Sequence, residues 1–443
     1  MTDNAQSLAS GAPHDTISFA RRSSREAVSL SLLLFLHIAV CCLSLLFVAY
    51  RNSYPQNPFA VYVPYNIGQI PGAMLLIAAF GVISSIFVRR KFSFGYFVGF
   101  YLYTMMLGYV WLSAFSLLHY NHSLAVISAF GSAIAFLIPA TMTPQPASGR
   151  HELTSRQFEV FLNLVLCGAL VILLVGAKYN YTIIALDRIY EFRGKNDSPT
   201  ILRYATSIVL SVLLPYAFAA FALRSHYWKA CFSLVLLLAF YPITLTKLDF
   251  FAPFWLLFVA AISRACDART SVLISLLAPI AAGLLSLTLF GTLFDIVNFR
   301  MVAIPSLAMD VYHEFFSSHP LTYFCQVRVL KTISCPYKEQ LGIVMQEMYG
   351  LGNFNASLFA TEGVASVGAT FAPLLAWVSG LIIALGNRAS SGLPARFVLL
   401  SSATFPQLFL NVPLTTTLVT HGALLLFLLW YVTPRSLLLE TKA

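Results

Sequence analysis

The chain has 443 residues, 58% of them hydrophobic and only 10% charged, with a mean hydropathy of +0.78. A soluble domain carries about a quarter charged residues and could not hide this much apolar surface, which excludes a secreted soluble enzyme, a disordered chain and a nucleic-acid-binding domain. The formal net charge of +10 would suggest nucleic acid in a soluble protein; in a membrane protein the placement of the charges matters more than their sum.

Residues 1–26 are polar, a longer lead than a signal peptide has before its apolar core, and are read as a cytoplasmic tail before a retained membrane helix. Apolar runs long enough to span follow at 27–50, 67–88, 92–118, 123–142, 158–177, 200–223, 230–246, 250–263, 271–291, 365–386, 395–411 and 414–433. The run at 250–263 is short enough to be tilted, re-entrant or mis-split. Spanning segments without period-two alternation must be helical, because lipid offers backbone N–H and C=O no partner. The expected fold is all-α, a polytopic membrane protein of about twelve transmembrane helices. One transmembrane domain covers 27–433, and 434–443 form a second cytoplasmic tail.

The basic residues orient this map. Arg21, Arg22 and Arg25 precede the first run and put the N-terminus inside. The connections then expected inside hold Arg89, Arg90 and Lys91, Arg150 and Arg156, Arg224 and Lys229, Arg264 and Arg269, and Arg388 and Arg396, with Arg435 and Lys442 in the tail. By this map 16 of the 27 basic residues lie inside with 7 of the 17 acidic ones, so most of the excess charge is topological. Both termini fall in the cytoplasm.

Two outer connections stand out, 178–199 and 292–364. The first holds Asp187, Arg188, Glu191, Arg193 and Lys195 among Tyr179, Tyr181 and Tyr190. Arginine offers planar, multidentate recognition of phosphate, and tyrosine a face for a sugar ring. The alternative is a solvated helix end with local ion pairs. Arg203 lies just inside the next helix, where an ionisable residue is a functional candidate unless it snorkels to the interface. Lys247 and Asp249 sit in the short TLTKLDFF turn, as site residues or as markers of the water interface.

The second connection is far longer than usual, which argues for function. Arg300 opens it. Apolar residues at 304, 307, 308, 311, 312, 315 and 316 form a helical stripe, with Asp310, His313, Glu314, Ser317 and Ser318 opposite. The pattern predicts an amphipathic helix on the membrane surface or over a cavity mouth. Arg300, Asp310, His313, Glu314 and His319 form the densest outer set of titratable groups. Cys325 and Cys335 are either a disulfide closing a short loop or two free thiols. Arg328 and Lys331 lie between them, and Asn353, Asn355 and Glu362 precede the next apolar run. Asparagine suits hydroxyl recognition; Glu362 is a base or a helix-start carboxylate. His37 and His421, inside apolar runs, read as packing residues. No Walker A, GxGxxG, HExxH or DxD motif occurs, and no metal or cofactor site is expected.

The stretch RMVAIPSLAMDVYHEFFSSH from Arg300 to His319, Asn355 with the following EGVASVG run, and the TLTKLDFF turn resemble the Wzy-type O-antigen and exopolysaccharide repeat-unit polymerases. The resemblance covers about 180–370 and elsewhere rests on topology. Some members carry arginine, ten residues and then glycine in both outer loops. None of Arg188, Arg193, Arg300 or Arg328 does, so the two-arm mechanism of those members does not carry over.

The resemblance implies a metal-independent glycosyltransferase of the bacterial inner membrane with its site facing the periplasm. It would transfer a growing glycan from undecaprenyl diphosphate to a new lipid-linked repeat unit. Membrane lipid, a chain-length regulator and a flippase would be its partners, and nucleic acid would not. Arg300, with Glu362, Asp310 and His319 as base or orienting groups, forms the catalytic set. Arg188, Arg193, Lys195, Arg203, Lys247, Arg328 and Asn355 would bind diphosphate and sugar. The rival expectations are an O-antigen ligase with the same donor and a lipid-linked oligosaccharide transporter.

Overall fold

The computed structural model describes residues 13–51, 62–64, 66–143, 151–184, 198–288, 291–327, 334–350 and 354–439. Among these residues all regular structure is helical. Nine of the described helices are long and apolar enough to cross a membrane, which makes this a multi-pass membrane protein. They are α1 (Pro13–Arg51, apolar over Glu26–Tyr50), α2 (Ile67–Arg89), α4 (His122–Ala140), α5 (Ser155–Tyr179), α6 (Thr200–Leu223), α7 (Tyr227–Thr244), α8 (Lys247–Ala265), α9 (Ala268–Leu285) and α12 (Phe359–Ser390). The short run at 250–263 belongs to α8, a full 19-residue helix.

The other three expected runs take different forms. Residues 92–118 give α3 (Phe94–Ser113), every residue of which is buried. Its four tyrosines, Tyr96, Tyr101, Tyr103 and Tyr109, are surrounded by protein. Tyr96 donates to the Phe87 carbonyl at 3.1 Å, and the Tyr101 hydroxyl pairs with that of Ser275 at 2.8 Å. The last two runs are each broken, into α13 (Ala395–Ser401) and α14 (Phe405–Asn411), and into α15 (Leu414–Val419) and α16 (Ala423–Val432).

Helix starts follow local chemistry. The Asn121 side chain accepts from Leu124 N, Asp267 from the amides of residues 269 and 270, and Thr154 with Gln157 forms a reciprocal capping box. Ion pairs join helix ends: Arg269 to Glu26 at 3.5 Å, Arg435 to Glu152 at 3.4 Å, and Arg224 to Glu159.

Helices α4 and α12 pack closely because small residues line their seam. Ala372, Ala376 and Gly380 of α12 are buried, as are Ala129, Ser132 and Ala133 of α4. A Cβ on Gly380 would lie 2.5 Å from the Phe136 carbonyl oxygen, so only glycine allows this approach.

The long second connection departs from expectation. Residues 291–318 form one helical run, α10, built from Gly291–Phe294, a π-helical stretch Asp295–Ala303 and Ile304–Ser318. It packs against α1, α3 and α9. The expected surface helix is instead in the core, with Asp310 and His313 buried. The buried part of its polar stripe faces tyrosines, while Ser317 and Ser318 are exposed: the Tyr120 hydroxyl donates to Asp310 Oδ1, and the His313 ring stacks with Tyr109 and with Tyr120. A short helix, α11 (Leu341–Tyr349), follows.

Breaks recur on one side of the bundle. Helix α6 has a π-helical turn at Val209–Leu213, and α12 begins with another at Phe359–Ala365. Gly368 then interrupts α12 at φ 78°, ψ 165°, a conformation that a side chain would strain. Gly422, at φ 76°, separates α15 from α16.

Candidate active site

The breaks surround a cavity of about 2690 Å³, lined by residues of α6, α8, α10, α12, α14 and α15 and of the segments between them. π-Helical turns and helix interruptions are common at functional sites, because they free backbone groups and re-aim side chains. The described lining carries Arg203, Lys247 and Arg300, and Asp249, Asp295 and Glu362.

Each charged group is placed by its element. Arg203, in the first turn of α6, donates from Nη2 to Thr200 Oγ1 at 3.2 Å. Leu245, in the left-handed region at φ 49°, turns the chain sharply before α8. Thr246 caps that helix: its hydroxyl accepts from Asp249 N at 3.2 Å and donates to Asp249 Oδ2. Lys247 and Asp249 therefore sit together in the first turn, at the cavity. The π-helical stretch of α10 puts Asp295 and Arg300 on the cavity side. Their spacing of five residues matches the i→i+5 hydrogen-bond offset of a π-helix.

Glu362 is the most constrained. It is buried, yet it lines the cavity. Oε1 accepts from the Thr415 amide at 3.0 Å and the Thr415 hydroxyl at 3.1 Å; Oε2 accepts from the Thr361 hydroxyl at 2.6 Å. Three donors fix the orientation of one carboxylate.

The far wall is aromatic and aliphatic: Phe251, Phe254, Trp255, Phe258, Val419 and Leu424. Phe254 is 52% exposed and Val419 66%. These apolar side chains line the cavity and stay accessible, so the cavity has an apolar wall as well as charged groups.

The structure thus brings together five sequence-predicted site residues, Arg203, Lys247, Asn355, Arg300 and Glu362. Arg188, Arg193, Lys195 and Arg328 lie outside the described residues. Two residues of the expected catalytic set do not line the cavity. Asp310 is fully buried beside Tyr120 and Ser116, because its helix packs into the core. Burial pushes its carboxyl above its ordinary value, opposed by the Ser116 and Tyr120 hydroxyls. His319 stacks on Phe315 at a centroid distance of 4.0 Å, its Nδ1 2.8 Å from the Phe315 carbonyl. Cys325 and Cys335 are bonded, with Cα atoms 5.3 Å apart. The bridge holds Gln326, which lines the cavity, against the Glu339 carbonyl at 3.2 Å.

Sequence reasoning missed Asp295, Gln407 and Trp255, and read His421 as packing. All four line the cavity. For Asp295 the signal was present, as a lone acid between an apolar run and Arg300. Gln407 and His421 are polar groups inside apolar runs, which was the available signal; Trp255, an aromatic in such a run, carried none. Among the described residues no group of three His, Cys, Asp or Glu is placed to hold a metal ion. Comparison with protein-family models, with curated proteins and with solved structures finds no match to this chain.

Proposed function

We propose that this protein is a membrane glycosyltransferase that polymerises lipid-linked oligosaccharide units. The carrying observation is one cavity whose lining combines an apolar aromatic wall with arginine, lysine and carboxylate side chains. A lipid diphosphate carrying sugars has matching chemistries: a polyprenyl chain for the apolar wall, a dianion for the guanidinium groups, and hydroxyls for carboxylate and amide.

In this reading Arg300 and Arg203, with Lys247, hold the diphosphate and stabilise the charge it gains as it leaves. The bond from the donor sugar's anomeric carbon to the diphosphate oxygen breaks. A bond from that carbon to the acceptor oxygen forms, and Glu362 takes the acceptor hydroxyl proton. Asn355 orients sugar hydroxyls. The charged rim lies at the ends of α6, α8 and α12 that the basic-residue pattern puts outside, in a twelve-span topology with both termini in the cytoplasm. The rim then faces the periplasm of a bacterial inner membrane. The undecaprenyl-diphosphate oligosaccharide is the substrate, supplied by a flippase, with a chain-length regulator as a further partner.

Reconstitution in proteoliposomes with an undecaprenyl-diphosphate-linked repeat unit tests this. Products of two and more units are expected, and Arg300→Ala should abolish them. Transfer only to a lipid A-core acceptor would make the protein an O-antigen ligase. A second reading, transport of the lipid-linked oligosaccharide, is favoured by the interrupted helices around the cavity, a feature of carriers. Passage of the lipid across the bilayer with no new glycosidic bond would establish it instead.

A further inference from the structure

Arg203, Lys247, Asp249 and Glu362 sit near helix ends, but another part of the cavity lining, its floor, does not. Ser207 and Ser211 are in the middle of α6, and Trp255 is in the middle of α8. At 1.5 Å per residue, Ser211 lies about 12 Å along α6 from Arg203, and Trp255 about 9 Å along α8 from Asp249. The floor is therefore a separate region of the same cavity, built where α6, the α13–α14 junction and the α15–α16 junction are all irregular.

Its side chains form one connected patch. The Trp255 Nε1–H donates to the Ala403 carbonyl at 2.8 Å, which fixes the indole by its edge. The neighbouring Thr404 hydroxyl donates to the Ser211 carbonyl at 3.0 Å. The Ser207 and Ser211 hydroxyls converge on His421 Nδ1, at 3.0 and 3.3 Å. In the neutral tautomer whose Nδ1 accepts from these hydroxyls, the ring proton sits on Nε2 and makes it a donor. Gln407, one turn beyond Ala403 and Thr404, completes the patch. Its Nε2 is buried and has no hydrogen-bond partner, while its side chain lines the cavity. A buried amide donor left unpaired is costly, so such a group marks a place where a ligand or water is expected.

We propose that this floor is a neutral saccharide subsite, with the Trp255 ring as a platform and Gln407 and His421 as hydroxyl-binding groups. The residues fit a sugar and not an anion. Ser207, Ser211, Thr404, Gln407 and the neutral imidazole carry no formal charge, whereas Arg203 and Lys247 stand in the first turns of their helices. An indole face suits the C–H bonds of a pyranose, and an amide and an imidazole suit its hydroxyls. Such a site reads hydroxyl pattern, so it selects which sugar enters. The inference deepens the lipid-linked-glycan reading and rests on it for the rest of the ligand.

The test uses the full chain in lipid nanodiscs and three probes: undecaprenyl diphosphate, the same lipid carrying the producing cell's oligosaccharide unit, and that oligosaccharide released from lipid. The wild type should bind the glycosylated lipid at least tenfold more tightly than the bare one. Gln407→Leu, His421→Phe and Trp255→Leu should each shrink that ratio threefold or more and leave bare-lipid binding within twofold, which also reports that each variant is folded. A ratio unchanged in all three variants, or equal weakening of both lipids, overturns the subsite. If neither lipid binds but the free oligosaccharide binds the wild type and not the variants, the lipid-diphosphate reading fails and the saccharide subsite stands.

Discussion

Glu362 and Thr415, 53 residues apart, are joined twice: the Thr415 amide and hydroxyl both donate to Glu362 Oε1, at 3.0 and 3.1 Å. The link ties the π-helical start of α12 to the first turn of α15, across the cavity wall. It makes Glu362 both a structural acceptor and a cavity carboxylate, and these roles separate by substitution. Glu362→Gln keeps an acceptor oxygen for Thr415 but cannot take a proton, so polymer formation should fall at least ~10²-fold with near-normal thermal stability. Glu362→Ala should also lose about 1 kcal/mol, because the part-buried Thr415 donors lose their acceptor. Unfolding in detergent and product ladders on gels check both, and a Glu362→Gln protein with full activity would remove Glu362 from the reaction.

Arg300 is the cation that the diphosphate reading most depends on. Arg300→Ala should lower polymerisation at least ~10²-fold. Arg300→Lys should restore only part of it, since an ammonium cannot reproduce planar, two-point contact with a diphosphate. Initial rates in proteoliposomes separate the two, and equal rates for alanine and arginine would contradict the assignment.

Asp310 and His313 give stability opposite dependences on pH. Burial raises the Asp310 carboxyl, so its contribution is complete below its ordinary 3.8 and is lost as pH rises through the raised value. Burial lowers the His313 imidazole from 6.5 to about 3, so its contribution is complete above 6.5 and is lost as pH falls toward 3. Asp310→Asn removes the first effect. Its melting temperature should rise from pH 4 to pH 6.5 more steeply than that of the wild type. Superimposable profiles would show that Asp310 does not bind its proton more tightly when folded.

The Cys325–Cys335 bridge closes a sequence separation of 10 residues. Loop-closure entropy for so short a segment limits its stabilisation to about 3 kcal/mol. The paired Cys325→Ser, Cys335→Ser variant should fold, melt lower and bind substrate less tightly, because Gln326 loses its tether at the cavity. Alkylation before and after reduction should show two cysteines protected in the wild type, in addition to the free ones.

At Gly368, the φ of 78° and ψ of 165° fall where only glycine is unstrained. A Cβ there would meet Leu321 Cδ1 at 3.6 Å, an ordinary contact, so the cost of Gly368→Ala is backbone strain alone. A loss of about 1–3 kcal/mol is expected, read as a lower melting temperature.

Much of the architecture was legible. Long apolar runs have one solution in lipid, and nine of the expected runs are helices long enough to cross it. Arg203, Lys247, Arg300, Asn355 and Glu362 were legible as site candidates because polar and ionisable residues beside apolar runs are rare and costly. Asp310 and His319 were grouped with them, but neither is among the residues that line the cavity. Helical periodicity shows that two faces differ, but not whether the polar face meets water or buried tyrosines.

Sequence by itself determined that this chain lives in lipid, that its segments are helical, and where its scarce charges stand along the chain. These follow from local physics: the cost of an unpaired backbone group in hydrocarbon and the cost of a charge there. Tertiary structure alone decided that charges from α6, α8, α10 and α12 share one cavity, that Asp310 is sealed into the core, and that Trp255, Gln407 and His421 form its floor. Those relations depend on where helices break and on contacts between residues up to about 200 positions apart, such as Ser211 and His421. No pattern within a single helix encodes them, because convergence is a property of packing and not of periodicity.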